Sequence, residues 1–103
     1  MSTGPRILTT GVFDLFHVGH LRYLQRAKQQ GSHLMVGVVA DEEVQRTKGK
    51  IPTLALAERM EIVGGLACVD EVRVQPTSTL DIEAAQAWIA AWGCQQVVVG
   101  GNW

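Results

Sequence analysis

The sequence predicts an α/β domain built on a parallel, doubly wound sheet with helices on both faces, a three-layer α/β/α sandwich. Three observations carry that prediction. Short β-prone apolar runs alternate with helical patterns along all 103 residues, and that alternation requires βαβ crossovers, which lay strands side by side in parallel. The second run, residues 33–39, is apolar at nearly every position, as expected of a strand covered on both faces. No repeat, linker or low-complexity tract interrupts the pattern, so residues 1–103 read as a single domain, a length that suits one core.

Each element follows from a local signal. Residues 7–10 form a β-prone run that leads into Gly11. From Val18 a helical pattern begins, with Leu21, Leu24 and Ala27 on one face and Gly31 as its stop. The strand at 33–39 is followed by Asp41, Glu42 and Glu43, which suit the positive end of a helix. Residues 47–52 are polar and hold Gly49 and Pro52, a loop. Leu56, Met60, Val63 and Ala67 make the stripe of the next helix, and residues 69–74 a third strand closed by Pro76. Ser78 and Asp81 have the spacing of a helix-capping pair. The helix they would open carries Ile82, Ala85, Ile89 and Trp92 inward and stops at Gly93. Val97, Val98 and Val99 form a fourth strand, and Gly100-Gly101-Asn102-Trp103 the loop after it.

Composition excludes several classes of function. Nine Lys+Arg balance ten Asp+Glu for a formal net charge of −1, which removes the basic face of a general nucleic-acid binder. Phosphate, if bound, must be met by a local site. Cys68 and Cys94 stand apart in apolar stretches and read as buried free thiols of a reducing compartment. The first residues lack the apolar run of a secretory signal. The uncharged stretch at 84–103 contains Gln86, Gln95, Gln96 and Asn102, with Gly93 in its middle, and makes a poor membrane span. A cytoplasmic protein is expected.

In doubly wound sheets ligands bind beyond the carboxyl ends of the strands. Two glycine-containing segments lie there, and the first is the informative one: Gly11-Val12-Phe13-Asp14-Leu15-Phe16-His17-Val18-Gly19-His20. It joins the first strand to the first helix, where a phosphate can meet backbone N–H groups and a positive dipole end. Gly11 allows a turn or a close approach to the backbone. His17 and His20 are three residues apart, hence on one side of the incipient helix, and can donate hydrogen bonds to phosphate oxygens. A transition-metal site is the competing reading of that pair, but no third or fourth ligand stands near it in the sequence. His33 reads as a strand-edge residue, Asp70 and Glu71 as fold or surface residues.

This segment resembles the G-x-F-D-x-x-H-x-G-H signature of the cytidylyltransferase-type nucleotidyltransferases, with every defining position met. The resemblance continues in order through Lys48-Gly49-Lys50, Glu58-Arg59-Met60, Val69-Asp70-Glu71-Val72 and Val99-Gly100-Gly101-Asn102-Trp103. It implies a Rossmann-like fold and transfer of NMP from an NTP to a small phosphorylated alcohol, with release of pyrophosphate. CTP is the favoured donor and ATP the alternative; a non-catalytic nucleotide-binding module is the runner-up of a different class. By that resemblance His17 and His20 contact the triphosphate, Gly11, Val12 and Phe13 the nucleotide, and Gly100 and Gly101 the base. Asp14 orients the loop or assists the acceptor or metal. Lys48 meets the acceptor phosphate, while Lys50 and Arg59 are further candidates for neutralising phosphate charge. The reaction class implies Mg2+ bridging the triphosphate, with no dedicated protein cage for it, and the family implies a homodimer.

Two departures stand out. Family members usually continue to an Arg-x-x-Gly-x-Ser-Thr-Thr-like segment that binds the triphosphate, and nothing here matches it, so the C-terminal part of the family fold is expected to be missing. Gly101 and Asn102 stand where the cytidylyl pattern often carries acidic residues, which loosens the expectation of cytosine. His17-Val18-Gly19-His20 also resembles the signature of class I aminoacyl-tRNA synthetases, but 103 residues leave no room for such an enzyme. Dinucleotide-fold and P-loop glycine motifs are absent.

Overall fold

The computed structural model describes residues 4–76 and 82–98. Its elements follow in the order β1 (Arg6–Gly11), α1 (Val18–Lys28), β2 (His33–Val38), α2 (Asp41–Lys48), α3 (Leu56–Gly64), β3 (Glu71–Val74), α4 (Ile82–Ala91) and β4 (Gln96–Val97). The four strands form one parallel sheet in the order β3-β2-β1-β4, the Rossmann-like α/β arrangement that the alternation predicts. Successive strands run outward from β1 to β3, and the chain then crosses back to place β4 on the other side of β1. Strand order therefore reverses at β1, and the crevice beyond its carboxyl end is where ligands bind in sheets of this kind.

Strand alternation sorts the core into two layers. Ile7, Leu34, Val36 and Val38 pack with Leu24 and Ala27 of α1 and Val63 of α3 on one face. Leu8 and Met35 meet Ala85 and Trp88 of α4 on the other. β2 is buried at five of its six positions, which is why its sequence is apolar without alternation. Thr9 is fully buried and polar, and it stays satisfied because its hydroxyl and that of Tyr23 both reach Val98 O, at 2.9 and 3.0 Å. That shared carbonyl fastens the exit of β4 to β1 and α1.

One cluster of charges lies at the amino-terminal edge of the sheet. Asp70 accepts from Leu34 N at 2.7 Å and pairs with Lys28, while Glu71 gathers Arg6, His33 and Arg73. Partial burial pushes both carboxyls up, but these hydrogen bonds and cations outweigh it and hold them below the usual carboxylate range. Cys68 and Cys94 are free, and burial raises both thiols. Among the described residues no helix is long and apolar enough to cross a membrane.

Several boundaries differ from the sequence reading. α2 continues through Thr47 and Lys48, so the loop begins at Gly49, which caps the helix in the left-handed region at φ 74°. β2 ends at Val38 and β3 starts at Glu71. α3 stops at Gly64 before Ala67, because two consecutive glycines end the helix where the periodicity alone continues. Trp92 lies in the turn past α4 and still packs on the core beside Trp88, ring centroids 4.7 Å apart. The proposed Ser78–Asp81 cap and Val99 lie outside the described residues.

Gly31 closes the α1–β2 connection against the start of β1. A Cβ there would lie 2.1 Å from Pro5 O and 2.6 Å from the Ile7 side chain. Because the obstacle is backbone, Gly31→Ala is expected to destabilise the fold by about 1–3 kcal/mol, read as a lowered midpoint in urea unfolding.

Candidate active site

The loop from the end of β1 to α1 is shaped by contacts that tighten it at both ends. Phe13 and Leu15 both have left-handed backbones, at φ 54° and 48°, a conformation that costs a non-glycine residue roughly 1–2 kcal/mol. Such strain persists only where surroundings hold it. Phe13 is 4% exposed and packs in the core with Leu24 and Val63. Its ring also explains Gly11: a Cβ there would lie 2.9 Å from it. Asp14 reaches across to accept Thr53 N at 2.8 Å and Leu54 N at 2.9 Å. Desolvation raises its carboxyl, but these backbone hydrogen bonds, one from Leu15 and the charge of Arg59 bring it below its ordinary value.

The two histidines begin α1 as a reciprocal cap. His17 is the N-cap, and its Nδ1 accepts Gly19 N at 2.9 Å; His20, at the third helical position, accepts His17 N on Nδ1 at 3.1 Å. A helix start leaves N–H groups without intrahelical partners, and here imidazoles fill the roles that Ser and Glu usually take. With Nδ1 accepting in both rings, the hydrogen-bond network assigns the proton of each neutral imidazole to Nε2. The rings lie 4.0 Å apart between centroids, and His20 is also flanked by Phe13 and Phe16. Burial, and then the neighbouring His17, lower the pKa of His20. A neutral donor is thereby fixed at neutral pH.

A pocket of about 170 Å³ opens beside this cap, lined by Val12, Phe13, Asp14, His20, Val44, Lys48, Lys50 and Pro52. Both lysines singled out in the sequence therefore meet the signature loop in one pocket, although they lie far along the chain from it. Arg59 is placed otherwise than a phosphate ligand requires. Its side chain is fully buried: Nε donates to Leu54 O at 3.0 Å, one terminal nitrogen to Val12 O at 2.9 Å and Val39 O at 2.7 Å, and the other pairs with Asp41. Its donors face protein carbonyls rather than the pocket. Asp41, its partner, carries only a helix-start signal in the sequence. Gly100 and Gly101 lie outside the described residues. Among the described residues no group of three or more His, Cys, Asp and Glu comes together as a metal site.

Fold and pocket together define a Rossmann-like α/β domain whose imidazole-lined crevice lies at the strand-order reversal. The family model described as cytidylyltransferase-like matches residues 8–103. The chain belongs to that family, a family of nucleotidyltransferases. It is 40% identical over 78 residues to the FAD synthase of Thermococcus sibiricus, 76% of this chain and 53% of that protein. It is 49% identical over 73 residues to the bifunctional protein HldE of Hydrogenovibrio crunogenus, 69% of this chain and 15% of that protein. The chain thus spans about half the length of the FAD synthase and a small part of HldE. Among solved structures, the lipopolysaccharide core biosynthesis protein from Thermoplasma volcanium superposes with a TM-score of 0.68 at 25% identity, covering 98% of this chain and 99% of that one.

Two outcomes follow from the geometry. Leu15 is 59% exposed and left-handed, so Leu15→Asn, which tolerates that region, is expected to stabilise the fold by about 0.5–1 kcal/mol, measured by thermal unfolding. The depressed His20 predicts a pH dependence with a definite sign. Its unfolded form takes up a proton near pH 6.5, before the folded form does. Stability from a neutral His20 is therefore complete above pH 6.5 and is lost as pH falls through the lowered folded value. Urea unfolding between pH 7.5 and 5 should show a steeper loss in the wild type than in His20→Gln.

Proposed function

We propose that the domain binds a nucleoside triphosphate and transfers its NMP to the phosphate of a small phosphorylated alcohol, releasing pyrophosphate. The observation that carries this reading is that His20, whose Nδ1 is taken up in the reciprocal cap, shares a pocket with Lys48 and Lys50, with the His17 ring 4.0 Å from its own. An acceptor phosphate is already nucleophilic. An oxygen of it attacks the α-phosphorus, the bond to the bridging oxygen breaks, and that electron pair leaves on pyrophosphate. The protein's part is positioning and charge stabilisation. In this reading His17 and His20 donate from Nε2 to triphosphate oxygens as negative charge builds on the leaving group. Val12 and Phe13 border the nucleotide, and Lys48 and Lys50 meet acceptor and triphosphate charge.

ATP is the donor we favour. FAD synthases are among the relatives, at 40–42% identity over about three quarters of this chain, and FAD carries an adenylyl group. CTP is the second reading, supported by the family's description. Asp14 is already engaged by the backbone N–H groups of Thr53, Leu54 and Leu15, and the described residues gather no metal-ligating cluster. These residues do not fit a resident Mg2+ cage, so magnesium would enter as part of the substrate, carried by the triphosphate. A cytoplasmic homodimer completes the proposal.

Pyrophosphate release with ATP and CTP against a panel of phosphorylated alcohols tests this reading, with nucleotide binding followed by calorimetry. His17→Ala and His20→Ala are each expected to lower turnover by about 10²–10³. Unchanged pyrophosphate release in both variants would remove the histidines from the mechanism. Nucleotide binding without pyrophosphate for any acceptor would leave a binding module.

A further inference from the structure

We infer that Arg59 and Asp14 form a positioning pair that holds the lysine-bearing walls of the pocket at a set distance from the imidazoles. The hydrogen bonds of Arg59 end on four separate segments. Val12 belongs to the signature loop, Val39 to the exit of β2, Leu54 to the segment before α3, and Asp41 opens α2. These are the segments that build the pocket. Val12, Phe13 and Asp14 come from the first, Val44 and Lys48 from α2, and Lys50 and Pro52 from the stretch that ends at Leu54.

Asp14 works on the same stretch from the other side, accepting Thr53 N and Leu54 N while Arg59 donates to Leu54 O. The peptide units around Leu54 are thus held by a carboxylate and a guanidinium together. His20 is the exception among the lining residues, since its ring is anchored within α1 by the cap. The pocket therefore has one wall set locally and the others set through a single buried cation.

A buried ion pair is a poor source of net stability, because desolvation offsets the attraction. An apolar side chain could fill the same volume. Only a planar fork of several donors can hold three carbonyls from three separate segments at once. The assignment is for position, and it also accounts for the left-handed Phe13, which lies between Val12, held by Arg59, and Asp14, held on the residues before α3.

Amide hydrogen exchange of the whole chain tests the pair without any ligand. In Arg59→Lys, the amides of Thr53 and Leu54 and of residues 44–48 in α2 are expected to exchange at least tenfold faster, with those of residues 21–27 in α1 within twofold of wild type. Asp14→Asn should accelerate Thr53 and Leu54 but not α2. Asp41→Asn, which keeps the three carbonyl bonds, should loosen α2 and spare Thr53 and Leu54; it serves if Arg59→Lys does not fold. Wild-type exchange at Thr53 and Leu54 in Arg59→Lys, or equal acceleration throughout α1, would overturn the proposal. A kinetic arm rests on the transferase reading: in Arg59→Lys the acceptor KM should rise about tenfold, more than the Kd for ATP. If the wild-type protein turns over no acceptor, that reading fails while the exchange result still decides the role of Arg59.

Discussion

Two hydrogen bonds between imidazoles and the first turn of α1 organise the site. A helix needs its leading N–H groups satisfied, and Nδ1 of His17 and Nδ1 of His20 meet that need. The same act assigns the proton of each ring to the opposite nitrogen. A structural requirement of the helix in this way sets the tautomer of both rings, and the His20 ring carries that property into the pocket. Packing against Phe13 and Phe16 and the depression of the His20 pKa keep the inner ring neutral, so it can donate to phosphate without a charge to desolvate.

That local device has value only because the sheet places it. With strand order reversing at β1, the loop after β1 opens into a crevice, and α2 and the loop following it come alongside. The strain at Phe13 and Leu15 marks how far the loop departs from relaxed backbone. Restraint comes from distant residues, since Asp14 bonds residues 39 and 40 positions away and Arg59 one 47 positions away.

Much of the fold was legible because its signals are local. β2 announced its two-sided burial through an unbroken apolar run, and α1 part of its buried face through Leu24 and Ala27, with His20 completing that face while Leu21 stays half-buried. The errors fell where a local signal continued past its physical end. Ala67 keeps the helical period of α3, yet the helix stops at Gly64. Thr47 and Lys48 look like loop by polarity, yet α2 holds them. In the site, the spacing of His17 and His20 pointed to a shared side, and the H-x-x-H pattern has the offset of a capping box, a signal that could have revealed their mutual bonds. Arg59, a candidate for neutralising phosphate charge in the sequence, is buried in the structure, and the reason is plain. An arginine next to Glu58 at the start of a helix looks solvent-exposed, and its burial is visible only when β1, β2 and α2 surround it.

The sequence by itself determined the alternation of strands and helices, the two-faced burial of the central strand, and the signature loop that carries the histidines. Period, punctuation and residue chemistry are short-range properties, written within a few positions. Tertiary structure alone decided that strand order reverses at β1, that Lys48 and Lys50 share a pocket with His20, and that the charge of Arg59 is spent on carbonyls inside the protein. Those facts depend on which distant segments come to lie together, and hydrogen bonds between segments far apart in the chain are specified only once the sheet has brought them within reach.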